Sequence, residues 1–119
     1  MLQRYFYYLI RYMPDPVRGE FLNIGLVFID PQPDRPRALV RFTSNWDRVR
    51  TFDPKADLEL LKALEDDIRT SLGGTTESLE AVLANIQSTR ANAVQASGPN
   101  VCLADSPEEE LERLVAVNL

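Results

Sequence analysis

YFYYLIRYMPDPVRGEFLNIGLVFID, running from Tyr5 to Asp30, decides the fold. Two runs of aromatic, β-branched and large aliphatic residues flank a polar, proline-bearing segment, and such runs suit strands. In the first, Phe6, Tyr8, Ile10 and Tyr12 alternate with Tyr5, Tyr7, Leu9 and Arg11. In the second, Leu22, Ile24, Leu26 and Phe28 alternate with Asn23, Gly25 and Val27. Pro14 and Pro16 cannot donate to a strand ladder. Gly19 can take a positive φ, so the stretch reads as a hairpin with a connection of about eight residues. Pairing Tyr12 with Leu22, Ile10 with Ile24, Tyr8 with Leu26 and Phe6 with Phe28 keeps one face apolar. A slip of one residue would exchange the faces. This register sets Arg11 opposite Asn23 and Leu9 opposite Gly25, where a glycine allows a bulge or a close backbone approach.

Beyond the hairpin, the proline- and aspartate-rich segment 30–36 reads as a loop. Arg37 to Thr43 reads as a third strand, with Ala38, Val40 and Phe42 on one side and Arg37, Leu39 and Arg41 on the other. Thr43 to Phe52 is irregular or a short turn of helix. Asp53-Pro54 has the form of an N-cap with proline at the first helical position. Leu58, Leu61, Leu64, Ile68 and Leu72 then recur at helical spacing, up to a stop at Gly73-Gly74. A second helix is expected from near Thr76, a short strand over Ala93–Ser97 and an extended piece over Val101–Ala104. Ser106-Pro107-Glu108-Glu109 has capping-box spacing and opens a last helix carrying Leu111, Leu114 and Val115. The order β-β-β-α-α-β-α predicts an α+β fold. It is an antiparallel sheet of three to five strands in meander order, with about three helices packed on one face.

The 119 residues make one domain, large enough to bury a core without staples. No apolar run could span a bilayer. The first residues lack the pattern of a signal peptide, and the single cysteine, Cys102, fits a reducing compartment. A cytoplasmic location is therefore expected. The chain has no histidine, which removes the commonest general base and metal ligand. Ser-His and Cys-His nucleophiles are thereby excluded within it, and one cysteine cannot build a thiolate metal site.

Charge is unevenly spread. The net value is −5, yet residues 1–50 carry eight arginines against five acids, and residues 51–119 carry five bases against thirteen acids. The basic front half also holds nine of the ten aromatic residues. Such asymmetry speaks to partners rather than to fold.

The hairpin register gathers Arg11, Asn23 and Arg41 on one sheet face together with Tyr5 and Tyr7, while Asp15, Arg18 and Glu20 sit at the loop end. These six polar residues are the candidate binding surface. Arginine beside stacking aromatics can bind single-stranded nucleic acid, although a pI near 4.7 works against phosphate binding. The plainer reading makes the loop architectural, with Arg18 paired to Asp15 or Glu20. Asp15, Glu20, Asp30 and Asp47 could ligate Mg²⁺ for phosphoester cleavage, but nothing in their spacing requires convergence. The sequence indicates no catalytic residue, no metal site, no cofactor and no membrane partner.

R-Y-x-P-D-P-V-R-G-E-F-x-N-I-G, Arg11 to Gly25, resembles the signature of the bacterial domain-of-unknown-function 3037 family, and the likeness continues through ADSPEEELERLV, Ala104 to Val115. The resemblance implies a bacterial cytoplasmic protein often encoded beside a HipA-like serine/threonine kinase, in a toxin–antitoxin or defence context. It supplies no catalytic residues. The expectation is a non-catalytic protein-interaction domain, with that kinase as a candidate partner and regulatory target. A nucleic-acid-binding module is the alternative, a Mg²⁺-dependent nuclease the third reading, and self-association stays open.

Overall fold

The computed structural model describes residues 1–31, 37–74 and 93–119. The helix expected from Thr76 and most of the loop at 30–36 lie outside these described residues. Strands β1 (Gln3–Tyr12), β2 (Leu22–Asp30) and β3 (Arg37–Phe42) are followed by helices α1 (Trp46–Phe52) and α2 (Leu58–Gly74), strand β4 (Val94–Ala104) and helix α3 (Pro107–Asn118). The expected order and the α+β class are borne out. The four strands form one antiparallel sheet in the order β3-β2-β1-β4. The first three make the expected meander, and β4 adds to its far side.

The hairpin register holds at its closed end, where Tyr12 pairs Leu22 and Arg11 pairs Asn23. It then slips. Ile10 faces Gly25, Leu9 faces Leu26, Tyr8 faces Val27 and Phe6 faces Ile29. Ile24 is the extra residue of a β-bulge, a device that shifts the phase of a strand. Consequently Ile24, Val27 and Ile29 share one face, while Leu26 and Phe28 turn to the other. Gly25 is required here, since an added Cβ would lie 2.6 Å from Cε1 of Phe42.

This phase change explains where the helices go. α1 and α2 cover one face, burying Val49, Leu61, Leu64 and Ile68 against Tyr8, Ile10, Tyr12, Ile24, Val27, Val40 and Phe42. α3 covers the opposite face, with Leu111 and Leu114 packed on Tyr5, Leu9, Leu26 and Phe28. Helices therefore lie on both faces of the sheet rather than on one. The physical reason is that β1 and β2 are apolar on both sides, which only a covered sheet can bury. Arg37 of β3 ties α3 down, reaching Asp30 Oδ2 and Glu108 Oε1 at 3.4 Å each.

Two local readings change. Asp53 does not open a helix: it ends α1, donating its N–H to the Val49 carbonyl, and its own carbonyl accepts from Ala56 in a turn containing Pro54. Asp57 caps α2 instead, its Oδ1 accepting the Leu60 N–H. β4 runs through Gly98-Pro99 as one strand with a register shift opposite Tyr7–Leu9, rather than as two pieces. The capping reading of α3 holds, because Ser106 Oγ accepts the Glu109 N–H. No described helix is long and apolar enough to cross a membrane.

Candidate functional site

Antiparallel pairing brings the end of β1, the start of β2, the end of β3 and the start of β4 to one end of the sheet. Arg11 sits between Asn23 on β2 and Gln95 on β4. Arg41 lies one row further in, paired to Leu26. All three candidate sheet residues thus occupy the face that α3 covers, at the polar margin of its apolar cluster.

Arg11 is half-buried, and its guanidinium carbon stands 4.1 Å above the exposed ring of Phe21. Its Nε is buried without a hydrogen-bond partner among the described residues, and so is Oδ1 of its cross-strand neighbour Asn23. Asn23 is held through its backbone, whose carbonyl accepts from Arg48 Nη2 of α1 at 2.8 Å. Arg41 is exposed and, among the described residues, donates only to the carbonyl of its neighbour Val40, at 3.3 Å. Tyr5 does not join this surface. It is buried under α3 and stacked on Phe28, with ring centroids 5.3 Å apart, and burial pushes its phenol pKa up. Tyr7 also packs against the α3 cluster.

The hairpin loop is ordered by its own side chains. Asp15 Oδ1 accepts the Val17 N–H at 3.0 Å, and the Asp15 carbonyl accepts from Gly19. Gly19 takes φ 73° there, the left-handed region that glycine enters without penalty. Arg18 pairs with Glu20 at 3.0 Å, both side chains exposed. Pro14, Asp15, Arg18 and Glu20 form one wall of a cleft of about 510 Å³, and Phe52 to Lys55 form the other. The Tyr12 hydroxyl donates to Asp53 Oδ2 at 2.6 Å beneath it. Burial first, and this bond second, raise the Tyr12 pKa well above the ordinary phenol value.

The six candidate residues therefore fall into two adjoining groups at one end of the molecule: Arg11, Asn23 and Arg41 on the sheet, and Asp15, Arg18 and Glu20 on the loop. The four carboxylates considered for Mg²⁺ do not gather. Asp30 is buried at the opposite end of β2 against Arg37, and Glu20 is engaged by Arg18. Three neighbours of the site escaped sequence reasoning. Phe21 reads simply as a strand residue, Arg48 belongs to a segment read as irregular or a short turn of helix, and the place of Gln95 depends on β4 joining β1.

The chain is thus an α+β domain built on a four-stranded antiparallel sheet covered on both faces, with a polar, arginine-bearing end left open. It belongs to the protein-of-unknown-function family DUF3037, whose family model matches residues 7–118, nearly the whole chain. No curated protein and no solved structure matches it.

Proposed function

We propose that this domain is a non-catalytic protein-interaction module whose contact surface is the open end of the sheet. That surface is formed by Arg11, Asn23 and Arg41 with Phe21, flanked by the loop residues Asp15, Arg18 and Glu20. One observation carries the reading. Arg11 and Asn23 are cross-strand neighbours on one face, and Arg11 Nε and Asn23 Oδ1 are both buried and without a hydrogen-bond partner among the described residues. A buried polar group left unmatched costs roughly 1–3 kcal/mol. Both side chains are only half-buried as a whole, and a partner that draws them outward, meeting Arg11 with a carboxylate and Asn23 with an N–H, removes both penalties. Arginine and aromatic side chains are also the types that dominate interface energetics.

The finer form of the proposal makes the partner a HipA-like kinase in the bacterial cytoplasm, regulated through this surface in a toxin–antitoxin or defence setting. It rests on the gene neighbourhood that the family resemblance implies. The nucleic-acid alternative is less well supported. The burial of Tyr5 and the packing of Tyr7 under α3 leave Phe21 as the one exposed ring beside Arg11 among the described residues.

The test is to purify the tagged chain from its native host with and without nuclease treatment and to identify what accompanies it by mass spectrometry. The expected result is a stoichiometric protein that survives nuclease. Recovery of nucleic acid with no stable protein would overturn the reading.

A further inference from the structure

The two edges of the sheet are finished differently. On β3, α2 supplies side chains to the outward backbone groups. Glu65 Oε2 accepts the Phe42 N–H at 3.1 Å, and Arg69 Nη2 donates to the Val40 carbonyl at 3.0 Å. Glu65 and Arg69 are themselves paired at 3.1 Å, so the clamp is continuous along that edge. β3 also carries Arg37 and Arg41. Covering groups and charges of this kind are how proteins blunt an edge strand.

Among the described residues, β4 has neither device between Asn100 and Ala104. From Val94 to Ala104 the strand contains no charged residue. The direction of its backbone groups follows by alternation across the sheet. Val40 and Phe42 point outward to α2, so Leu39 and Arg41 make the ladder to Phe28 and Leu26. Val27 and Ile29 then face Tyr8 and Phe6, and Tyr5 and Tyr7 face Cys102 and Asn100. The Asn100 side chain donating to the Tyr7 carbonyl agrees with this phase. Val101 and Leu103 are left with both N–H and C=O directed away from the sheet. Their side chains are 59% and 60% exposed, high for large apolar residues on a strand.

We propose that the Asn100–Ala104 segment of β4 pairs antiparallel with the same segment of a second copy of this chain, making one continuous sheet across a twofold axis. The occupant follows from charge and register. The chain is acidic overall, and this uncharged edge lets two copies meet without like charges directly opposed; two β3 edges would oppose arginines. The outward groups are self-complementary: Val101 of each copy forms a hydrogen-bonded pair with Leu103 of the other, and the four apolar side chains meet on one face. Cys102 then falls on the axis as a non-hydrogen-bonded pair, with Cα atoms about 4.5 Å apart. That separation lies within the roughly 4.4–6.8 Å range of disulfides. This surface lies at the opposite end of the sheet from Arg11, and the inference stands apart from the proposed function.

Light scattering on a size-exclusion column, over a concentration series of the full chain, tests it. The expected mass approaches twice the 13.5 kDa of one chain as concentration rises. It should return to that of one chain in Leu103→Lys and, separately, in Val101→Lys, each checked for native circular dichroism. Oxidation by copper-phenanthroline in air should cross-link the wild type through Cys102 and fail to do so in Leu103→Lys. A chain that stays monomeric at every concentration would overturn the proposal. So would a dimer that survives both lysine variants, or one that gives no Cys102 cross-link.

Discussion

Gly25→Ala isolates the bulge that sets the phase of β2. The added Cβ would stand 2.6, 2.8 and 2.9 Å from three carbons of the Phe42 ring. Ordinary carbon–carbon contact begins near 3.5 Å, so the ring must retreat by roughly 1 Å. Phe42 is buried and stacks on Trp46 with centroids 6.5 Å apart, which leaves it little room. Overpacking of this kind costs about 1–3 kcal/mol, and the stiffer unfolded chain of alanine returns about 0.4–1 kcal/mol. The net expectation is a loss of roughly 1–2 kcal/mol, or a Tm lower by roughly 4–8 °C for a domain of this size. Thermal melts by circular dichroism read it. Phe42→Leu should make the two losses less than additive, because the smaller side chain frees the space. Gly19→Ala is the contrast: its φ is 73° and no heavy atom lies within 4 Å of the added Cβ. Its cost of about 1 kcal/mol comes from the backbone and should not respond to Phe42→Leu. A Gly25→Ala protein as stable as wild type, or one equally destabilised in the Phe42→Leu background, would refute the steric account.

Three further outcomes are expected. Tyr12→Phe removes the hydrogen bond to Asp53 and should cost about 1 kcal/mol in urea titration. The folded phenol pKa lies above its unfolded value near 10, so this stability is present below about pH 10 and lost as pH rises further. The alkaline decline should accordingly be shallower in Tyr12→Phe, the remainder coming from Tyr5 and from Cys102, whose thiol pKa burial also raises. Arg37→Ala leaves the buried Asp30 carboxylate without its cation; a lower Tm is expected, partly restored by adding Asp30→Asn. Glu65→Ala strips the acceptor from the Phe42 N–H. It should lower stability by about 1 kcal/mol and expose the β3 edge, seen in chromatography as association beyond the twofold mass of the wild type.

Much of the architecture was legible because each segment's period agreed with its place. The hairpin, β3, the leucine stripe of α2 and the capped start of α3 all announce themselves. Two things did not. Alternation over Leu22–Phe28 reads as one unbroken face, and only Gly25 hints at the bulge that sends Leu26 and Phe28 to the other side. With that bulge unseen, the second apolar face stays hidden, and with it the reason for α3 to cross over. At the site, placing Arg11 opposite Asn23 needed only the turn-proximal register, which lies on the hairpin side of the bulge. Gln95 and Arg48 depend on long-range pairing and on a helix of one short segment, neither of which leaves a local period. Tyr5 and Tyr7 look like exposed aromatics for the same reason: their cover comes from residues about a hundred positions away in sequence.

The central claim is that the open end of the sheet is a contact surface. The most direct measurement compares the protein captured by the wild-type chain with that captured by Arg11→Ala/Arg41→Ala, under nuclease treatment and with melting temperatures recorded in parallel. The account predicts loss of the stoichiometric partner with a native-like melt. Full retention of the partner by the folded double variant would contradict it.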